Sequence, residues 1–372
     1  MFKQTTLTLL IGPAVPLPVA PEVLDALVSV QVTRAARGRS GFQLSFTMGR
    51  RSQLQTLFLI AGGAAIPLLR VVVVVTVDAA PNVLIDGFVT NFEVSAVPPA
   101  TMTLTGDDIT SVMDLEDMSG TQFPALPPEA RVELLLEKYA AFGVVPAVIP
   151  SISLNVPNPT EQTPTQQGTD LAYINKLAAD VGYVFFVRPG PLPGASVAYW
   201  GPDVKIGVPQ PALNVDMDTQ TNVESLNFTF NNRSATLPIV EVQDPLTNAP
   251  IPIPIPDVAL LSPPLGLIPP LPQRVVRLEN AAKLSPIAAA LLGVAEAART
   301  GDAITASGSL DVARYGGLLA AGALVGVRGA GVAFDGLYYV ETTTHTIKRG
   351  EHKQSFTLSR NELVSNVPVV PV

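Results

Sequence analysis

The chain has no cysteine, one tryptophan, two histidines and few charges, with Asp, Glu, Lys and Arg together making up 15% of its 372 residues. Without cysteine there is no disulfide framework, no thiolate metal site and no thiol nucleophile. A formal charge of −8 removes the electrostatic ground for wrapping nucleic acid or lying on anionic lipid. No run of about 18 uninterrupted apolar residues occurs, so no hydrophobic spanning helix is expected. The apolar stretch at the N-terminus is short and broken by Gly12, Pro13 and Pro16, which does not fit a signal peptide. At 6% aromatics, an exposed aromatic platform for carbohydrate has little to be built from.

What the chain has in quantity is hydrophobic residues, 47%, and proline, 36 residues. The first allows a large core, and the length predicts two or three domains. The second places prolines in loops and connections, since helix interiors and central strands tolerate them poorly. Thr5 to Ile11, Leu27 to Thr33, Phe42 to Met48, Arg70 to Asp78, Leu84 to Val94 and Thr101 to Thr105 are strand candidates. Phe42, Leu44, Phe46 and Met48 alternate with polar residues, whereas Val71 to Val75 is apolar throughout and reads as a central strand covered on both faces.

From Gly106 the period changes. Asp107 and Asp108 precede a short amphipathic helix. Pro127-Pro128 opens a second that Gly143 closes, and Thr169-Asp170 opens a third that Gly182 stops. Strands resume at Tyr183 to Val187, Val223 to Phe230 and Ile239 to Gln243. Pro250 to Pro272, with its IPIPIP, lacks the donors of a sheet strand and is expected as an extended, polyproline-like apolar loop, packed on another domain or subunit or, as an equal alternative, tucked over its own domain. Ser285-Pro286 opens a helix to Ala298, and Ala303 to Leu310 is again a strand. No short-period repeat is evident.

The chain closes on a predicted hairpin. Leu337 to Thr346 is rich in β-branched and aromatic residues, and Gln354, Phe356 and Leu358 alternate with Ser355, Thr357 and Ser359. Setting Val340 against Leu358 places Thr342 against Phe356 and Tyr338 against Arg360. The connection is then a five-residue loop, Ile347 to Glu351.

The string L-x-x-G-x-x-V-x-V from Leu319 to Val327, D-G-x-Y-x-V from Asp335, His345, and S-F-x-L-x-R-N from Ser355 to Asn361 resemble the end of the phage late control gene D proteins. Those are baseplate hubs of contractile tails, and the same core forms the N-terminal part of the VgrG spike proteins. The stretch from Val28 to Phe46 is similar to that family's opening, and Asp170 to Tyr183 to the helix of its second domain. The resemblance implies a mainly β fold with an α+β insertion: two similar tube-type β-barrel domains, 1–107 and 223–364, flanking a smaller mixed α/β domain, 108–222. A Pro-rich excursion at 245–273 interrupts the second barrel, and 365–372 is a tail. Phe42, Gly322, Gly336, Tyr339, His345, Phe356, Leu358, Arg360 and Asn361 carry the family pattern as structural positions. The implied function is a structural hub, a homotrimer adapting a threefold spike to a sixfold inner tube. Its partners would be a separate spike protein, an inner tube or tube-initiator protein, and baseplate adaptor and wedge proteins. Such a protein is made and assembled in the cytoplasm and ends in a virion or phage-tail-like particle.

Chemical alternatives are weaker. His345 and His352 lie on opposite arms of one hairpin without a third ligand, so no metal and no cofactor is expected. Gly326 to Gly331 lacks the helix that a dinucleotide loop requires, and Asp216-Met-Asp218 lacks the Gly and Glu of a calcium loop. No G-x-S-x-G occurs, and the acidic pair Glu116-Asp117 and Glu137 fall on predicted helix surfaces. No catalytic residue is assigned. The rival readings are a tail-associated hydrolase and a β-rich receptor- or carbohydrate-binding module.

Overall fold

The computed structural model describes residues 5–13, 15–48, 68–95, 97–151, 163–231, 236–243, 250–254, 264–268, 271, 274–278, 290, 292–297 and 301–366. The first block contains β1 (Thr5–Gly12), β2 (Leu17–Pro18), α1 (Pro21–Ala26), β3 (Leu27–Ala35), β4 (Gly41–Thr47), β5 (Arg70–Val77), β6 (Ala80–Ser95) and β7 (Thr101–Asp108). The middle unit follows a 3₁₀ turn at Ile109–Asp114 with α2 (Pro128–Glu137), β8 (Val144–Val148), α3 (Asp170–Asp180), β9 (Val184–Pro189) and β10 (Ser196–Gly201). The last block holds β11 (Gln210–Asn214), β12 (Ser225–Phe230), β13 (Thr236–Gln243), β14 (Pro250–Pro254), β15 (Gly266–Ile268) and β16 (Arg274–Leu278). It continues with β17 (Ile304–Asp311), α4 (Val312–Tyr315), β18 (Leu324–Arg328), β19 (Gly336–Lys348), β20 (Glu351–Arg360) and β21 (Leu363–Ser365).

The fold is mainly β with a helical insertion, as the sequence predicts. Local signals set the helices: Thr169 Oγ1 caps the Ala172 N–H of α3, the Asp108 carboxylate caps the 3₁₀ turn, and Pro128 opens α2. β5, the valine strand, lies between β1 and β6 with nearly every side chain buried. Two expectations change. β11, expected within the middle domain, pairs with β18 of the last block. Pro250, Pro252 and Pro254 are in a strand, β14, at the edge of a three-stranded sheet with β13 and β16. Alternation explains this, because Ile251 and Ile253 keep the N–H groups that face β13 while the prolines turn their missing donors to the open edge. The other residues of the excursion, and most of the helix expected from Ser285, lie largely outside the described residues.

The two strand-rich blocks are not separate sheets. A 13-stranded sheet runs β12-β17-β20-β19-β3-β4-β7-β6-β5-β1-β2, with β18 and β11 branching from β19. One core, from Leu9, Val32 and Leu104 to Val327, Phe356 and Leu358, spans both blocks, while α2, α3 and the Trp200 side of β10 enclose a second. Within the large sheet one order occurs twice. β3-β4-β7-β6-β5 and β12-β17-β20-β19-β18 pair in the same sequence, every pair antiparallel, and each set appears along the chain in the same succession. One bulge is common to both sets, while the β3–β4 and β5–β6 ladders of the first carry further shifts, at Leu27/Ser29 and Val73/Val74. In β6 the ladder with β7 skips between Val89 and Asn91, and in β19 the ladder with β20 skips between Val340 and Thr342.

Candidate functional site

β19 is the strand on which the blocks meet. One edge pairs with β20; the other pairs first with β18, over Gly336–Tyr339, and then with β3, over Thr342–Lys348. Val340 faces Leu358 as expected, but the bulge inserts Glu341, so Phe356 faces Thr343 and not Thr342, and the hairpin turns tightly through Arg349 and Gly350. The extra residue switches the inward parity of β19 from Tyr338 and Val340 to Thr343, His345 and Ile347. The threonine-rich run 342–344 has no apolar alternation that could have shown the slip.

Glu341 is held there by groups distant in sequence. Its carboxylate accepts from Arg37 Nη2 at 2.7 Å and Ser359 Oγ at 2.7 Å, and its carbonyl accepts from the Ala36 N–H at 2.8 Å. Arg37 also reaches Asp203 at 3.0 Å, and Lys205, buried, pairs with Asp302 at 2.6 Å. Both cations lie over the Tyr339 ring, at 6.0 and 5.3 Å. Burial, then Asp203 nearby, pushes the Tyr339 phenol up to about 12. The cluster ties together the β3–β4 connection, the segment after β10, the start of β17 and the closing hairpin. None of its charged members was singled out in the sequence, because each pair spans about a hundred residues or more.

The family-pattern residues fall into three places. Phe42 is buried on β4 across from Gly106 of β7, and Phe356 is buried on β20 across from Gly308 of β17; a Cβ on either glycine would strike the ring. Leu358 packs beside Phe356 in the shared core. Gly322, Tyr339 and Gly336 line the branch. Gly322 has φ +81° and a side chain there would fall on the Arg188 guanidinium, while Gly336 has φ +134° and faces Arg360 and Ser365. Arg360, fully buried, donates to the Asp335 and Ala333 carbonyls at 2.8 and 2.7 Å and stacks on Tyr338 at 4.5 Å, and Asn361 Oδ1 accepts from the Leu265 N–H at 3.1 Å.

His345 belongs to a buried tandem. Gln354 is fixed by Leu319, donating to its carbonyl at 2.9 Å and accepting from its N–H at 3.0 Å. Its remaining N–H therefore points to His345 Nε2, 3.3 Å away, so His345 carries its proton on Nδ1 and donates to His352 Nε2 at 3.1 Å. His352 is then protonated on Nδ1, and both ring lone pairs are occupied. Burial, with His352 and Arg34 adding to it, holds His345 well below its ordinary range. Burial lowers His352 to about 4, opposed by Asp311. The unfolded chain thus binds the proton first, and the stability from neutral His352 is complete above about pH 6.5 and lost as the pH falls toward about 4. The loss expected from His352 is about 3 kcal/mol. His352→Gln, which keeps an acceptor for His345, should flatten this slope; urea unfolding of both proteins at pH 7 and pH 5 checks it.

This geometry locks strands to one another. The fold as a whole has parallels in solved structures. The chain superposes on the tail protein from Neisseria meningitidis MC58 with a TM-score of 0.61 at 12% identity, covering 96% of each chain. It matches the 43 kDa tail protein of prophage MuSo2 from Shewanella oneidensis with a TM-score of 0.61 at 16% identity, covering 96% of this chain and 99% of that one. A chain of the lidded PdpA–VgrG complex of Francisella gives 0.58 at 7% identity, with all of this chain covering 55% of the other. Neither a protein-family model nor a curated sequence matches the chain. The fold is the one shared by phage tail proteins and VgrG.

Proposed function

We propose that the protein is a structural baseplate hub of a phage tail or phage-tail-like injection system, a component of the particle without catalytic work of its own. The observation that carries this reading is the strand order occurring twice in one continuous sheet, with matching bulges, in a fold shared with tail proteins and VgrG. Two similar units per chain give a homotrimer six units around its axis, which adapts a threefold spike to a sixfold tube. The closing hairpin fits such a role, since its pattern residues are spent on fixing β19 between two units. A spike protein, a tube or tube-initiator protein and baseplate proteins are the partners this geometry calls for. Mass photometry and projection images of the purified protein test it: a threefold ring with a central channel is expected. Monomer at every concentration, with no threefold position for the chain in its assembled particle, rejects the reading.

A further inference from the structure

The histidine tandem ends on a donor that nothing takes. From the backbone of Leu319 the hydrogen bonds run through Gln354 and His345 to His352 Nε2, and the relay stops at His352 Nδ1. That nitrogen is buried and has no hydrogen-bond partner among the described residues. The relay also fixes what it can do. Gln354 donates to His345 and His345 donates to His352, so the His352 proton stands on Nδ1 and this atom only donates. A metal ion at Nδ1 would need that proton moved to Nε2, where His345 already donates. The missing partner is therefore an acceptor, and a chain of polarised hydrogen bonds makes the last donor in it a strong one.

His352 also lines a cavity of 420 Å³ enclosed by β1, α1, the start of β3, the β17–α4 junction and the tip of the closing hairpin. A single water needs about 10 to 15 Å³ on this measure, and ligand sites span about 300 to 1,000 Å³, so the space is that of a ligand. Leu7, Leu24, Leu27 and Ile347 make its apolar wall, and its mouth lies at the surface, where Val28 is 45% exposed. The charged residues that line it, Asp311 and Glu351 against Lys348 and Arg349, are two of each sign. Three of them are engaged: Arg349 Nη2 donates to the Asp25 carbonyl at 2.6 Å, Glu351 pairs with Lys353 at 3.5 Å, and Asp311 Oδ1 accepts from the Ala313 and Arg314 N–H groups at 2.9 and 3.1 Å.

We propose that this cavity takes one apolar residue of another protein chain, its branched side chain against the leucines and Ile347 and its backbone carbonyl accepting from His352 Nδ1–H. A peptide residue joins an aliphatic group to a neutral acceptor in one compact unit, which is the combination that an apolar wall, one inward donor and balanced charges select. An anionic acceptor is disfavoured, because it would meet the Asp311 carboxylate in the same cavity. The site goes beyond the hub reading and does not depend on it.

The chain has only two histidines, so protein labelled in histidine alone gives two Nδ1–H resonances. N-acetyl-leucine amide, a single capped residue, should move the His352 resonance downfield and saturably, with a Kd in the millimolar range that one small group allows. The His345 resonance, whose acceptor stays the same, should move less. Acetamide, which lacks the side chain, should move neither. Leu24→Trp in the wall and Val28→Trp at the mouth should each abolish the shift in a protein that melts as the parent does; Val28 is exposed, so its variant stays folded even if Leu24→Trp does not. Absence of a saturable shift, an equal shift with acetamide, or a shift that survives Val28→Trp overturns the site. Tighter binding of hexanoate than of N-acetyl-leucine amide also overturns it, since the cavity would then select a free acyl anion. The hub reading is tested by particle symmetry and stands or falls apart from these outcomes.

Discussion

Phe356→Ala is expected to destabilise the protein by about 3 to 5 kcal/mol, a large share of the roughly 5 to 15 that a domain has. The ring is 3% exposed and sits between Thr343 of β19 and Gly308 of β17, its Cζ 2.7 Å from where a Cβ of Gly308 would be. Glycine leaves no side chain to relax into the space, and the walls are paired strands that cannot move inward without breaking ladders, so the cavity stays. Thr357→Ala, on the opposite face, should change stability by no more than about 0.5 kcal/mol. Its effect should appear, if anywhere, in assembly. Urea unfolding of the two variants beside the parent decides it; a parent-like Phe356→Ala with an unfolded Thr357→Ala would mean the faces are inverted.

Arg70→Met should cost a similar amount by another route. Arg70 and Asp86 are both 3% exposed and meet twice, Nε to Oδ1 at 2.7 Å and Nη2 to Oδ2 at 2.8 Å, and Nη2 also donates to the Phe142 carbonyl at 2.8 Å. Removing the guanidinium leaves a carboxylate buried without its cation, for which about 3 to 5 kcal/mol is typical. It also frees the turn of the middle unit that is hooked to β5. Replacing both residues, Arg70→Met with Asp86→Leu, should recover most of the loss, since two apolar side chains carry no desolvation debt. Equal stability of the single and double variants would show that the pair acts through packing alone.

Much of the local structure was legible. Alternation in Phe42 to Met48 and in Gln354 to Leu358 gave the buried faces, the valine run gave the covered strand, and Thr169 and Pro128 marked helix starts. Those signals are short-range: a cap or a face is decided by residues a few places apart. The bulge at Glu341 was not legible, because the groups that hold its carboxylate, Arg37 and Ser359, come from elsewhere in the chain. Nor was the polar tandem, since Gln354 orients His345 only through the backbone of Leu319.

The duplication shows the same division. Phe42 on Gly106 and Phe356 on Gly308 are one device, an aromatic ring covering a glycine on the neighbouring strand, but along the chain the ring sits on the second strand of one unit and on the fifth of the other. The two rings stand at different positions of the duplicated order, so comparison position by position sees no repeat. By itself the sequence determined many of the strands, their apolar sides and where α2 and α3 begin, because those follow from side-chain period and capping chemistry; it did not show β8, β10, β11 or the proline strand β14. The tertiary structure alone decided that β19 takes β3 as a neighbour and that two blocks make one sheet. Strand partners are chosen by edge geometry and by contacts between residues as far apart as Thr33 and Thr344, and no local pattern records that choice.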